Sequence, residues 1–162
     1  MKILVLCRGN SCRSQMAEYF LRSYDPRLEV RSAGLNPVEE LHPLVLQVMM
    51  EKGIEMRWAR PESLTAYLWV AFDFVIHVCP CQNQFSHYFR GAAKRIRLNL
   101  EDPGALEGTP EQQLAHFRKV RDQIDKDMKA FYISQLRPLL DRERPLNQGW
   151  PWFNHEQVVS AS

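Results

Sequence analysis

The sequence has no apolar run near the roughly 18–20 residues that a membrane-crossing helix needs. Its N-terminal apolar stretch, Ile3 to Leu6, is too short for a signal-peptide core and runs directly into Cys7 and Arg8. A cytoplasmic protein is therefore expected. Charge of one sign is also scarce: the net charge is +2, too small for the clustered basic bias of a nucleic-acid binder. Arg90, Lys94, Arg95 and Arg97 read as a solvated face. Cysteines number four, poor material for a disulfide framework inside a cell and better suited to catalysis or metal binding. Internal repeats and Gly/Ser-rich linkers are lacking, so 162 residues fit one domain over 1–142 with a tail, 143–162, of uncertain structure.

What is present alternates between strand and helix patterns. Lys2 to Leu6 is continuously apolar after the lysine, as in a strand buried on both faces. Met16, Ala17, Phe20 and Leu21 then recur at helical spacing, predicting a helix over 14–24 that Asp25-Pro26 stops. A second strand is predicted over 28–32. A second helix opens at His42-Pro43 and ends at Gly53. Residues 64–70 suggest a helical turn burying Tyr67 or Trp69. Strands are predicted at 74–78 and 96–100. A long helix follows from 111 to about 137, with Leu114, Phe117, Val120, Ile124, Met128 and Phe131 facing the core. This order predicts an α/β fold, a three-layer sandwich around a four-stranded parallel sheet. In such folds ligands sit at the carboxyl ends of strands, where both Cys7 and Cys79 fall.

Between the first strand and first helix lies Cys7-Arg8-Gly9-Asn10-Ser11-Cys12-Arg13-Ser14. A loop of this length can close around a tetrahedral anion. Its backbone N–H groups and the helix N-terminus supply positive potential. Gly9 relieves crowding near the ligand, and Arg13 can grip two oxygens through its planar fork. The same field favours the Cys7 thiolate, the reactive form, and Ser14 can donate a hydrogen bond to it. Oxyanion-binding candidates are therefore Arg8, Gly9, Asn10, Ser11, Cys12 and Arg13. The bland alternative, a core thiol beside a surface arginine, sits badly with placement between strand and helix.

This segment, continued by Gln15-Met16-Ala17-Glu18, resembles the low-molecular-weight protein tyrosine phosphatases, and among them the arsenate reductases. The resemblance extends through Ser32-Ala33-Gly34, His42-Pro43, Leu100-Glu101-Asp102-Pro103 and Phe117-Arg118-Lys119-Val120-Arg121. It implies the phosphatase-like fold, a Cys7 nucleophile, and Asp102 as general acid in an Asp-Pro loop. Without the resemblance, Asp102-Pro103 would be an ordinary turn. Gly104-Ala105 follows the proline where tyrosine is typical of the phosphatases, which suits a small inorganic anion. Asn10, Glu18 and Ser32 are candidates for ordering the loop.

Cys79-Pro80-Cys81 separates two activities. A zinc site needs four ligands, and Cys-x-Cys with only His77 and His87 fits it poorly. Two inert thiols are a further alternative. A redox relay is the third: a lone thiol cannot supply both electrons for arsenate reduction and be restored, so a second thiol must resolve the first. The resemblance sharpens this, because the glutathione/glutaredoxin-dependent arsenate reductases carry a Cys-x-Cys. A disulfide closing so small a ring is strained and readily reduced. The expected catalytic set is Cys7, Arg13, Ser14, Asp102, Cys79 and Cys81, with no bound cofactor or metal. Electrons would come from glutathione/glutaredoxin or thioredoxin, and the substrate would be arsenate or a phosphate-like oxyanion. The competing expectation is a phosphatase that hydrolyses a Cys7 phosphoenzyme with water.

Overall fold

A computed structural model describes residues 1–80 and 94–142. Its elements are β1 (Lys2–Cys7), α1 (Arg13–Tyr24), β2 (Glu29–Gly34), α2 (Pro43–Met50), a 3-10 turn (Leu64–Tyr67), β3 (Phe74–His77), β4 (Lys94–Arg97), a second 3-10 turn (Pro103–Ala105) and α3 (Pro110–Phe131). A π-helical turn (Tyr132–Leu136) and α4 (Arg137–Arg142) complete the described residues. The four strands form one parallel sheet in the order β2-β1-β3-β4, flanked by helices. The expected fold class is therefore present.

Central placement explains the sequence of β1. Ile3 to Cys7 are all buried, and β1 pairs with β2 and β3 at once. A strand covered on both faces needs apolar residues at every position. Edge strand β4 has the opposite composition, with Lys94, Arg95 and Arg97 exposed and Ile96 half-buried. The strand expected at 96–100 thus lies two residues earlier and includes three of the basic residues of the supposed solvated face. β2 likewise runs on through Ala33 and Gly34.

Helix ends follow local chemistry. His42 caps α2 through its imidazole Nδ1, which accepts from Leu44 N (3.3 Å). Gly53 takes a positive φ of 72° just beyond α2, where an L side chain is disfavoured. Thr109 and Gln112 form a reciprocal capping box that starts α3 one residue ahead of expectation. Of the six apolar positions expected on α3, Leu114 is half-buried and the other five are buried. Their packing includes an edge-to-face contact between Phe131 and Phe74 of β3, 5.6 Å between centroids.

Two polar clamps close the framework. Arg118 and Arg121 on α3 hold Glu51 at the end of α2 (2.6 and 2.7 Å), and Arg121 also donates to Val48 O. Asp25 after α1 accepts from Arg27 and from Tyr132, which holds its carboxyl well below the usual range. In the 64–67 turn Leu64 is buried, and of the two expected alternatives Tyr67 is half-buried against the core while Trp69 is 96% exposed. The turn is only four residues long and ends at Tyr67, so Trp69 lies beyond it. The tail 143–162 lies outside the described residues.

Candidate active site

β1 delivers Cys7 to the carboxyl edge of the sheet, and α1 begins six residues later at Arg13. Between them the loop carbonyls are tied outward. Cys7 O accepts from Leu35 N (3.3 Å), Arg8 O from Asn36 N (2.9 Å), Gly9 O from Val38 N (3.1 Å) and Ser11 O from His42 N (3.3 Å). With the carbonyls engaged, the loop N–H groups are left to line its concave side. Asn10 N–H donates to Cys7 Sγ (3.1 Å), and Ser14 Oγ lies 2.8 Å from the same sulfur. The sulfur thus has two polar partners, and Cys7 as a residue is 3% exposed.

Asn10 holds this shape from behind. It has φ +52° and is fully buried. Its Nδ2 donates to Ser14 Oγ and Ser32 Oγ (2.9 Å each), while Oδ1 accepts from Gln15 Nε2 (3.0 Å) and Glu62 N (2.7 Å). Ser32 in turn donates to Glu18 (2.7 Å), a carboxyl pushed up by burial. The expected loop-ordering trio of Asn10, Glu18 and Ser32 is thus in contact. Among the expected oxyanion ligands, Asn10 turns its side chain away from the cavity.

Opposite the thiol, Arg13 is held by the acid loop. Nη1 donates to Leu100 O (3.1 Å) and Nη2 to Asp102 Oδ2 (2.6 Å). Arg13 is buried while the Asp102 side chain is half-exposed. Asp102 also caps the Pro103–Ala105 turn by accepting from Gly104 N (3.2 Å), so the proline sets the aspartate's direction. The described residues lining a cavity of about 340 Å³ are Cys7, Arg8, Gly9, Ser11, Cys12, Arg13, Asn36, Val38 and Asp102, with no aromatic residue among them. Arg8 stands at this rim with its side chain exposed.

The family model for "low molecular weight phosphotyrosine protein phosphatase" matches residues 2–143. The chain belongs to this family. Within it, the chain is 34% identical to an arsenate reductase of Halalkalibacterium halodurans over 130 residues, 80% of this chain and 93% of that protein. It is 31% identical to a glutaredoxin arsenate reductase of Synechocystis over 124 residues, 76% of this chain and 89% of the relative. A solved structure described as an arsenate reductase in the phosphate binding state superposes with a TM-score of 0.68 at 28% identity, covering 82% of this chain and 96% of that one.

The remaining cysteines of this family member differ in state. Cys12 is a free, buried thiol pushed up to about 11, chiefly by burial. Cys79 follows β3, one residue after Val78, whose N–H donates to Leu6 O of β1 (3.0 Å). It is 2% exposed and disulfide-bonded. Cys81 lies outside the described residues. No cluster of three or more His, Cys, Asp or Glu able to hold a metal occurs among the described residues.

Sequence reasoning missed four contributors. Gly34 is the tight point behind the loop: a Cβ there would lie 2.8 Å from Arg8 O, whereas one on Gly9 would find only ordinary contacts with protein atoms. Its signal was present in Ser32-Ala33-Gly34. Asn36 and Val38 line the rim and pair with the loop, but nothing in their spacing marks them. Leu100 holds Arg13 through a backbone carbonyl, which carries no side-chain signature.

Proposed function

We propose that this phosphatase-family protein is an arsenate reductase. The observation that carries the reading is the disulfide-bonded Cys79 at the end of β3, beside the strand that presents Cys7. The similarity to proteins named arsenate reductases supports it. So does a cavity rim to which the described residues contribute no aromatic wall, so that none of them offers a planar aryl group a surface to stack on.

Arsenate enters the loop and is held by inward N–H groups and by Arg13, whose Nη2 exchanges Asp102 for an arsenate oxygen. Arg8, Gly9, Ser11 and Cys12 border the same space. The Cys7 thiolate attacks arsenic, and Asp102 protonates the departing oxygen, which leaves as water. Cys79 or Cys81 then attacks Cys7 Sγ. The As–S electron pair goes to arsenic, arsenite departs, and Cys7 ends in a disulfide; two thiols have supplied the two electrons. Exchange moves the oxidation to the Cys79/Cys81 pair, and an external thiol restores it. Ser14 steadies Cys7 both as nucleophile and as leaving group. The Cys-x-Cys spacing supports glutathione/glutaredoxin as donor, with thioredoxin as the alternative. A cytoplasm that keeps thiols reduced is the fitting compartment.

The test is arsenite production with thioredoxin and with glutathione plus glutaredoxin, assayed side by side. Many arsenites per protein with one donor are expected. One or none per protein with both would reject the reductase and leave a phosphatase or a stoichiometric oxyanion or redox sensor.

A further inference from the structure

Strand β4 places a small basic surface at the exit of the proposed relay. Arg95 and Arg97 are two apart on a strand and so project from one face of the sheet. They pair in register with Val75 and His77 of β3, and Arg97 is thereby one strand spacing from the residue two before Cys79. Both arginines are exposed, and neither has an ion-pair partner among the described residues. Lys94, on the other face, sits over the Phe74 ring, 5.6 Å from its centroid. Every other described arginine apart from Arg8, Arg31 and Arg142 is bound to a carboxylate or a backbone carbonyl. The field of Arg95 and Arg97 reaches the end of β3, where with burial it pushes His77 down to about 4. Among the described residues, β4 is an edge strand with no further strand beyond it.

We propose that the Arg95–Arg97 face of β4 docks an acidic surface on the thiol oxidoreductase protein that reduces the Cys79 disulfide. The inference rests on the relay reading, because only a disulfide that turns over needs an external reductant. Two exposed charges in register with the end of β3, which Cys79 follows, would steer an oppositely charged partner there and raise its encounter rate. In the supported step a partner thiolate attacks one sulfur of the disulfide. The other sulfur leaves as a thiolate and takes a proton. A second thiol, from the partner or from glutathione, then displaces the protein sulfur, so that two donor thiols are oxidised and two protein thiols restored.

The test compares wild type with Arg95→Glu/Arg97→Glu and Arg95→Lys/Arg97→Lys. Each protein is oxidised, and its reduction is followed by stopped flow without arsenate, using reduced glutaredoxin, reduced thioredoxin and dithiothreitol in turn. The Glu pair should lower the second-order rate constant with the better protein donor by at least about tenfold. It should leave dithiothreitol reduction unchanged, and the Lys pair should behave as wild type. The wild-type rate with that donor should fall as ionic strength rises. An unchanged protein-donor rate in the Glu pair would overturn the proposal, as would an equal loss with dithiothreitol. Arsenite release by pre-reduced wild type is measured separately, so failure of the reductase reading shows there and failure of docking shows in the donor rates.

Discussion

Asn10→Ala tests the physical basis of the loop. The substitution removes an acceptor from Glu62 N–H and from one Gln15 hydrogen, while Ser14 and Ser32 keep their contacts to Cys7 and Glu18. The Gln15 donor is buried and the Glu62 N–H partly buried, and left unmet they cost about 1–2 kcal/mol each. The +52° φ, which asparagine adopts more readily than alanine, adds about 1 kcal/mol. The sum is about 3–5 kcal/mol, which for a domain of this size lowers Tm by roughly 10–15 °C. Urea unfolding and calorimetry read the loss directly. Asn10→Gly relieves the backbone cost while still losing the side-chain bonds, so it should recover about 1 kcal/mol and no more. An Asn10→Ala protein that melts within about 2 °C of wild type would refute the claim that this side chain holds the loop.

Asp102→Asn removes both the proposed proton donor and the carboxylate partner of Arg13. Steady-state kcat with arsenate should fall about 10²–10⁴-fold, and a wild-type kcat would remove Asp102 from the mechanism. Burial holds Cys12 near 11, so near neutral pH iodoacetate should alkylate Cys7 and spare Cys12. Peptide mass spectrometry decides this, and equal labelling contradicts the assignment. His77 is pushed from 6.5 to about 4 in the folded protein by burial and by Arg95 and Arg97. Between those values the unfolded chain binds a proton that the folded one refuses, so stability falls as pH drops from 6.5 toward 4. His77→Gln should flatten that part of a urea-unfolding pH series; an unchanged slope would show that His77 does not carry it.

The parts of the fold legible in sequence are those where one physical signal dominates. β1 and α1 announce themselves because a continuous apolar run gives way, across a polar loop, to helical spacing. Cys7, Arg13 and Ser14 are legible for the same reason, and the structure brings all three together with Asp102. β4 is misplaced in sequence because an exposed edge strand of Lys94, Arg95 and Arg97 has no apolar signature. The carbonyl ties from Leu35, Asn36, Val38 and His42 are invisible because backbone bonds depend on where the chain returns, not on which side chains it carries. Asn10 shows both sides of this. Its presence in the loop is plain, yet its turned-away, left-handed pose emerges only when Gln15, Ser32 and Glu62 converge on it.

The central claim is that Cys7, after attacking the anion, is resolved by a second thiol where a phosphatase would use water. The most direct measurement is a Cys79→Ser/Cys81→Ser protein assayed in parallel for arsenite production with a thiol donor and for hydrolysis of an aryl phosphate. The account predicts that arsenite turnover disappears while hydrolysis, however slow, matches that of the parent protein. Arsenite turnover that survives the double substitution would contradict it.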